Sequence, residues 1–151
     1  MEQPQPLTEQ TVLDYVRQSP VYSSLFAEEE PLQSTQIAEG NVNLLFRVSS
    51  ARDPLHKSVI VKQALPYAWR YPDFKMPVDR SRIEYEMLEI EGRYCPEQTP
   101  KVYAYDSERH ILLIEDLNRH LVMREGLMQQ KRYPLVAQHL GTFMARTLFY
   151  T

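Results

Sequence analysis

Residues 58–67 read SVIVKQALPY, an apolar run with one lysine, Lys62, near its middle. Val59, Ile60 and Val61 are β-branched and favour a pleated strand, and Ala64 and Leu65 carry the apolar character past Gln63. A lysine in such a run either points to water on an alternating strand or is held inward by an anion, because an unpaired ammonium in low dielectric is costly. Taken alone, a strand lysine is more often solvated. The elements on either side decide between the two.

Upstream, TEQTVLDYVRQ (8–18) sets Val12, Tyr15 and Val16 at helical spacing behind Thr8, a good N-cap, and Pro20 ends the helix. After the acidic loop AEEEP (27–31), LQSTQIAEGNVNLLFRVSS (32–50) predicts strand, tight turn, strand. The turn is centred on Gly40 and Asn41, which tolerate positive φ. RDPLHK (52–57) makes a second turn, so KSVIVKQAL (57–65) becomes the third strand of an antiparallel meander.

Downstream, PYAWRYPDFKMPV (66–78) is crowded with prolines and aromatics and predicts no regular element. DRSRIEYEMLEIEGRY (79–94) predicts a helix with Asp79 as N-cap, an apolar face of Ile83, Met87, Leu88 and Ile90, and Gly92 near its end. PKVYAYD (100–106) and HILLIEDL (110–117) are two further strands joined by a hairpin. NRHLVMREGLMQQKR (118–132) reads as a linker. From Tyr133 a helix is expected with Pro134 in its first turn and a stripe of Leu140, Phe143, Met144, Thr147 and Leu148. That stripe needs a surface to pack against, and a second copy of the chain is the expected one, giving a homodimer.

The chain has 151 residues, 43% of them hydrophobic and 25% charged, which is the balance of a folded globular domain. A net charge of −3 argues against a general nucleic-acid binder or a basic membrane-surface patch. The single cysteine, Cys95, can form no internal disulfide and suits a reducing compartment. The N-terminus lacks a signal-peptide pattern, and no window reaches the roughly 20 apolar residues of a membrane span. A cytoplasmic address is the expectation. His56, His110, His120 and His139 show no metal-ligand spacing.

The order helix, three strands, helix, two strands, linker, helix resembles the small lobe of a protein-kinase-like fold, an α+β architecture with a five-stranded antiparallel sheet and one main helix. In that fold a lysine on the third strand holds the α- and β-phosphates of ATP, and a glutamate on the following helix pairs with it. Lys62 lies on the third strand, and Glu84 lies one turn into the next helix. Glu86, Glu89 and Glu91 compete for the partner role but continue around the polar side. In AEGNVNLLF (38–46), the place of the phosphate cradle, there is one glycine, Gly40, followed by Asn41 and Asn43, rather than G-x-G-x-x-G. A plain hairpin turn explains Gly-Asn equally well. ILLIEDLNRH (111–120) ends an apolar strand in Glu115, Asp116 and Leu117, which fits a hinge whose backbone reads adenine. As an acid pair, Glu115 and Asp116 fit poorly, since neighbours on an extended chain point to opposite faces.

GNVNLLFRV, SVIVKQALPY, DRSRIEYEML, PKVYAYD, IEDL and LGTFMARTLFYT together resemble the S-methyl-5-thioribose kinase family, small-molecule kinases of methionine salvage within the aminoglycoside phosphotransferase superfamily. The resemblance runs from about residue 35 to the last residue, and V-K-Q-A-L-P-Y with D-R-x-R-I-E is its most specific part. It implies ATP and Mg²⁺ as cofactors and transfer of the γ-phosphate to the 1-hydroxyl of methylthioribose. It places Gly40, Asn41 and Asn43 in the phosphate loop, Lys62 on the phosphates with Glu84 as its partner, and Glu115, Asp116 and Leu117 at the hinge.

The same resemblance divides the chain into an N-terminal helix and loop (1–33), a nucleotide-binding small lobe (34–117), and a linker with the first helix of a large lobe (118–151). The catalytic aspartate and the Mg²⁺ ligands are expected beyond residue 151, so no catalytic residue is assigned here and residues 1–151 alone are expected to be inactive. One departure concerns the substrate: where family members carry S-W-P-L-T, this chain has DFKMPV (73–78), with Phe74 in the place of the tryptophan and Trp69 earlier. The competing readings are a non-catalytic nucleotide-binding or dimerising module, and a related kinase for another small alcohol.

Overall fold

The computed structural model describes residues 4–38 and 40–149. The first helix, α1 (Glu9–Gln18), starts in a reciprocal cap: the Thr8 hydroxyl accepts from the Thr11 N–H, and the Thr11 hydroxyl accepts from the Thr8 N–H. A short helix, α2 (Tyr22–Leu25), follows. It has too few residues to show a period and was not expected. The strands β1 (Leu32–Gln36), β2 (Leu44–Ser50) and β3 (Ser58–Gln63) form the anticipated meander. Two more strands, β6 (Val102–Asp106) and β7 (Ile111–Glu115), complete a five-stranded antiparallel sheet of order β1-β2-β3-β7-β6.

Between them, β4 (Tyr67–Ala68) and β5 (Tyr71–Lys75) form a separate two-stranded ribbon. Residues 66–78 are thus not wholly irregular as expected: the prolines leave enough backbone donors for a short pair, with β5 facing solvent and Ala68 of β4 buried. The main helix, α3 (Arg80–Tyr94), follows. A six-residue helix, α4 (Met123–Met128), lies within what read as a linker, and α5 (Val136–Phe149) is the last element described. Among the described residues, no helix is long and apolar enough to cross a membrane.

The two faces of the sheet differ in kind. Leu44, Phe46 and Val48 on β2, Val59 and Val61 on β3, and Ile111 and Leu113 on β7 share one face with Leu7, Val12, Val16, Val21 and Phe26 of the N-terminal segment. These side chains are the core, and burying each contributes about 1.5–3 kcal/mol. Gln63 is buried on that face because it works as a lashing: its Oε1 accepts the Leu7 N–H at 2.9 Å, and its amide nitrogen donates to the Gln5 carbonyl at 3.0 Å. The N-terminal residues and the sheet thus share one core. Tyr15 on α1 adds a hydrogen bond to Asp106 at 3.2 Å, and burial, then the Asp106 charge, raises the tyrosine's pKa.

The opposite face carries Lys62, whose cross-strand neighbours are Leu45 on β2 and Leu112 on β7. Helix α3 docks toward β6 through a narrower contact than its sequence suggested. Ser81 is buried, with its hydroxyl 3.2 Å from the Tyr105 hydroxyl, and Tyr85 stacks on Tyr105 with ring centroids 5.0 Å apart. Ile83 and Met87, expected on the buried face, are instead 52% and 48% exposed. Asp79 is the N-cap residue as expected, but its side chain makes no capping hydrogen bond; the carboxylate is taken by both Nε and Nη2 of Arg82, each at 2.8 Å.

Candidate functional site

Lys62 lies on the face of β3 turned toward α3, and Glu84 lies one turn into that helix. The Lys62 ammonium donates to the Glu84 carboxylate at 2.5 Å, with the two side chains 23% and 32% exposed. The expected ion pair is therefore present. Partial burial makes it stronger than a fully exposed surface pair, and both side chains keep part of their surface open. Of the four candidate carboxylates, Glu86 turns away to Arg82 at 2.6 Å.

The turn before β2 is held differently from expectation. Among the described residues no glycine has positive φ, so Gly40 does not supply a left-handed turn. It supplies closeness: a Cβ there would lie 2.6 Å from Leu45 Cδ1. The turn is tied to the β4–β5 ribbon, because the Trp69 N–H donates to the Val42 carbonyl and the Arg70 N–H to the Asn41 carbonyl, both at 3.1 Å. The Arg70 guanidinium also reaches the Ala38 carbonyl. Asn41 is exposed and Asn43 buried, the latter accepting a hydrogen bond from Arg80 Nε at 3.0 Å.

At the other end of the sheet, Glu115, Asp116 and Leu117, the residues expected at a hinge, are engaged within the chain. Glu115 Oε2 accepts the Lys101 N–H at 3.0 Å, and the Glu115 N–H donates to the Lys101 carbonyl at 2.8 Å. The Asp116 carboxylate is paired with Arg47, and the Leu117 carbonyl accepts the His120 N–H at 2.8 Å. Asn118 donates to the Leu55 carbonyl and the Ser58 hydroxyl, fastening this segment to the β2–β3 turn. A cavity of about 320 Å³ opens here between His56, Tyr103, Asp116, Leu117 and His120. The two carboxylates thus face separate partners and form no acid pair.

Sequence reasoning missed Arg47 and Asn118, whose partners lie 60 or more residues away. Arg80 lies one turn before Glu84 in α3, a spacing that places both on one helix face. Arg80 links the Asn41–Asn43 turn to the Lys62–Glu84 pair, bonding Asn43 and interacting with the Glu84 charge, while Glu115 pairs with Val59 at the far end of β3. Among the described residues, no group of three or more His, Cys, Asp or Glu side chains is placed to hold a metal ion.

An α+β domain in which a strand lysine and a helix carboxylate meet on one face of a five-stranded antiparallel sheet is compatible with a kinase-like small lobe. No family model matches the chain. It is 38% identical over 146 residues to proteins named methylthioribose kinase from Bacillus thuringiensis (strain Al Hakam) and Bacillus anthracis, and 37% identical to the one from Bacillus cereus (strain AH187). Each match takes in 96% of this chain and 35% of the relative. The chain is a homologue of the methylthioribose kinases and spans about a third of their length, consistent with an N-terminal portion of that enzyme.

Proposed function

We propose that this chain is the nucleotide-holding small lobe of a kinase that phosphorylates methylthioribose from ATP. The observation that carries the reading is the Lys62–Glu84 ion pair between β3 and α3. A lysine so held presents a fixed positive charge to the α- and β-phosphates. Its partner keeps the side chain extended across the sheet instead of searching rotamers, so less conformational freedom is lost on binding. The backbone of residues 40–43 and the Asn43 amide supply further donors to the phosphates. With the Leu117 carbonyl occupied, its N–H, which makes no hydrogen bond among the described residues, is left to read the adenine edge.

Asn41, Val42, Ala68, Tyr71, Phe74 and Met76 form an apolar hollow beside the same turn. An apolar surface there suits a thioether substituent better than a charged alcohol, which favours methylthioribose over an aminoglycoside or choline. The residues present offer donors to a triphosphate, and among the described residues no group of carboxylates or histidines is placed to hold Mg²⁺. Phosphoryl transfer depends on positioning and charge stabilisation by metal-holding groups that are not found among the described residues, and the chain alone is expected to bind without turnover.

Titration of the ¹⁵N-labelled chain with ATP and with adenosine tests the reading. ATP should shift the signals of residues 40–43 and 62 and bind more tightly than adenosine. Lys62→Met should erase that difference, with a loss of about tenfold for ATP. Equal affinity for ATP and adenosine in the unmodified chain would overturn the proposal.

A further inference from the structure

We infer that Arg80 is a positioning residue for the phosphate turn: it fixes the Asn43 side-chain amide so that the N–H₂ end, not the carbonyl, is offered to a bound phosphate. The inference rests on the nucleotide-binding reading above and adds to it a residue that acts through another.

A guanidinium carries donors only, so the end of the Asn43 amide that it meets must be the carbonyl oxygen. Arg80 Nε donates to Asn43 Oδ1 at 3.0 Å, which turns Nδ2 the other way. Asn43 as a residue is buried, yet its Nδ2 is not among the buried side-chain atoms left without a partner, so this nitrogen, which makes no hydrogen bond among the described residues, keeps an opening to the surface. An amide free to rotate by half a turn would present oxygen lone pairs to an anion as readily as N–H groups. Arg80 removes that alternative.

Arg80 is itself braced. Its Nη1 donates to the Pro77 carbonyl at 2.6 Å, and Glu84 lies one helical turn further on the same face of α3. Burial pulls the Arg80 pKa down and the Glu84 charge opposes this, so the guanidinium stays charged. Its Nη2 is buried without a partner among the described residues. An arginine held with one nitrogen unsatisfied is a poor source of stability; what it contributes is orientation.

The placement is also specific. Asn43 lies in the bend just before β2, and the helix that reaches it through Arg80 is the one that reaches Lys62 through Glu84. Helix α3 thereby sends out two struts: Glu84 to the phosphate-binding lysine and Arg80 to the phosphate-facing amide. Any shift of the helix moves both donors together.

The test uses the whole 151-residue chain, ¹⁵N-labelled and titrated with ATP and with adenosine. Asn43→Asp keeps an oxygen for Arg80 but replaces the outward N–H₂ by a second, anionic oxygen. It should weaken ATP about tenfold, leave adenosine unchanged, and leave thermal stability equal or higher. Arg80→Met should weaken ATP in the unmodified background and have no further effect when Asn43 is already alanine, whereas a merely structural role would give the same loss in both. Arg80→Lys, which lacks the fork that spans Asn43 and Pro77, should rescue only part of the loss. Asn43→Asp with undiminished preference for ATP over adenosine overturns this inference alone and does not depend on the arginine variants folding. An unmodified chain with no such preference overturns the nucleotide reading as well.

Discussion

Arg47 on β2 and Asp116, just beyond β7, meet in a two-pronged ion pair, with Nε to Oδ2 at 2.7 Å and Nη2 to Oδ1 at 3.2 Å. The Asp116 side chain is only 3% exposed, whereas Arg47 keeps 43%. The pair joins strands that do not neighbour each other, since β3 runs between them. It fixes the start of the segment that leads out of the sheet, and with it the backbone proposed to read adenine.

Arg47→Met should therefore leave a carboxylate buried without its partner. Losing one member of a buried pair is strongly destabilising, and the exposure of the arginine moderates this to about 2 kcal/mol. Asp116→Asn, which still accepts from the guanidinium, should cost less. Urea unfolding of both variants measures the difference, and equal midpoints for the two would contradict the account.

Gln63 gives a second prediction, about the N-terminal segment. Gln63→Met preserves volume but leaves the Leu7 N–H without its acceptor, at a cost of about 1–3 kcal/mol. Amide exchange at Leu7 should accelerate far more than exchange in β7. A uniform acceleration over all strands would mean that Gln63 supports the whole sheet rather than the lashing.

The meander, the main helix and the last strand pair were legible because each has a clean local period, and α1 because Thr8 precedes it. The Lys62–Glu84 pair followed from element order. What was hidden shares a different property: it depends on pairings across long stretches of chain. Nothing near Arg47 announces Asp116, 69 residues on, and nothing near Asn43 announces Arg80, 37 residues on. The β4–β5 ribbon was obscured because its prolines and aromatics break alternation while its backbone bonds to the Asn41–Val42 turn. For α3, the expected apolar face of Ile83 and Met87 gave way to stacking by Tyr85, a residue that periodicity counts only weakly.

Helix α5 was expected to meet a second copy of the chain through its stripe of Leu140, Phe143, Met144, Thr147 and Leu148. Leu140, Met144 and Leu148 are 55%, 54% and 67% exposed, whereas Phe143 is half-buried and Thr147 buried, so one edge of the stripe is covered within the chain and the other is left open. Replacing the three exposed residues with glutamine should change the stability of the isolated chain little, about 0.5 kcal/mol or less per site. The same variant should reduce self-association in sedimentation at high concentration if the stripe is the contact between copies. A loss of several kcal/mol on unfolding would show that the stripe is internal after all.

Glu30 makes the last prediction. Its carboxylate is buried ahead of β1, where Oε1 accepts the Ser50 hydroxyl at 2.5 Å and Oε2 lies 3.6 Å from the Lys57 ammonium. Ser50 in turn accepts the N–H groups of Arg52 and Asp53, so one carboxylate organises the whole β2–β3 turn. The Ser50 hydrogen bond holds the Glu30 pKa below its ordinary value; burial opposes this, and the charges of Lys57 and Arg52 add to the lowering. A folded-state pKa below the unfolded one means that the unfolded chain binds the proton more readily. The stabilisation is therefore complete above the unfolded value of about 4.3 and fades as pH falls through the folded one. Glu30→Gln keeps the shape and removes the charge. The stability gap between the natural chain and this variant should be steady from pH 8 to about 5 and narrow below about 4.3. Urea midpoints across that range decide it: a gap unchanged down to pH 3 would mean that Glu30 acts there by shape and hydrogen bonding and not by its charge.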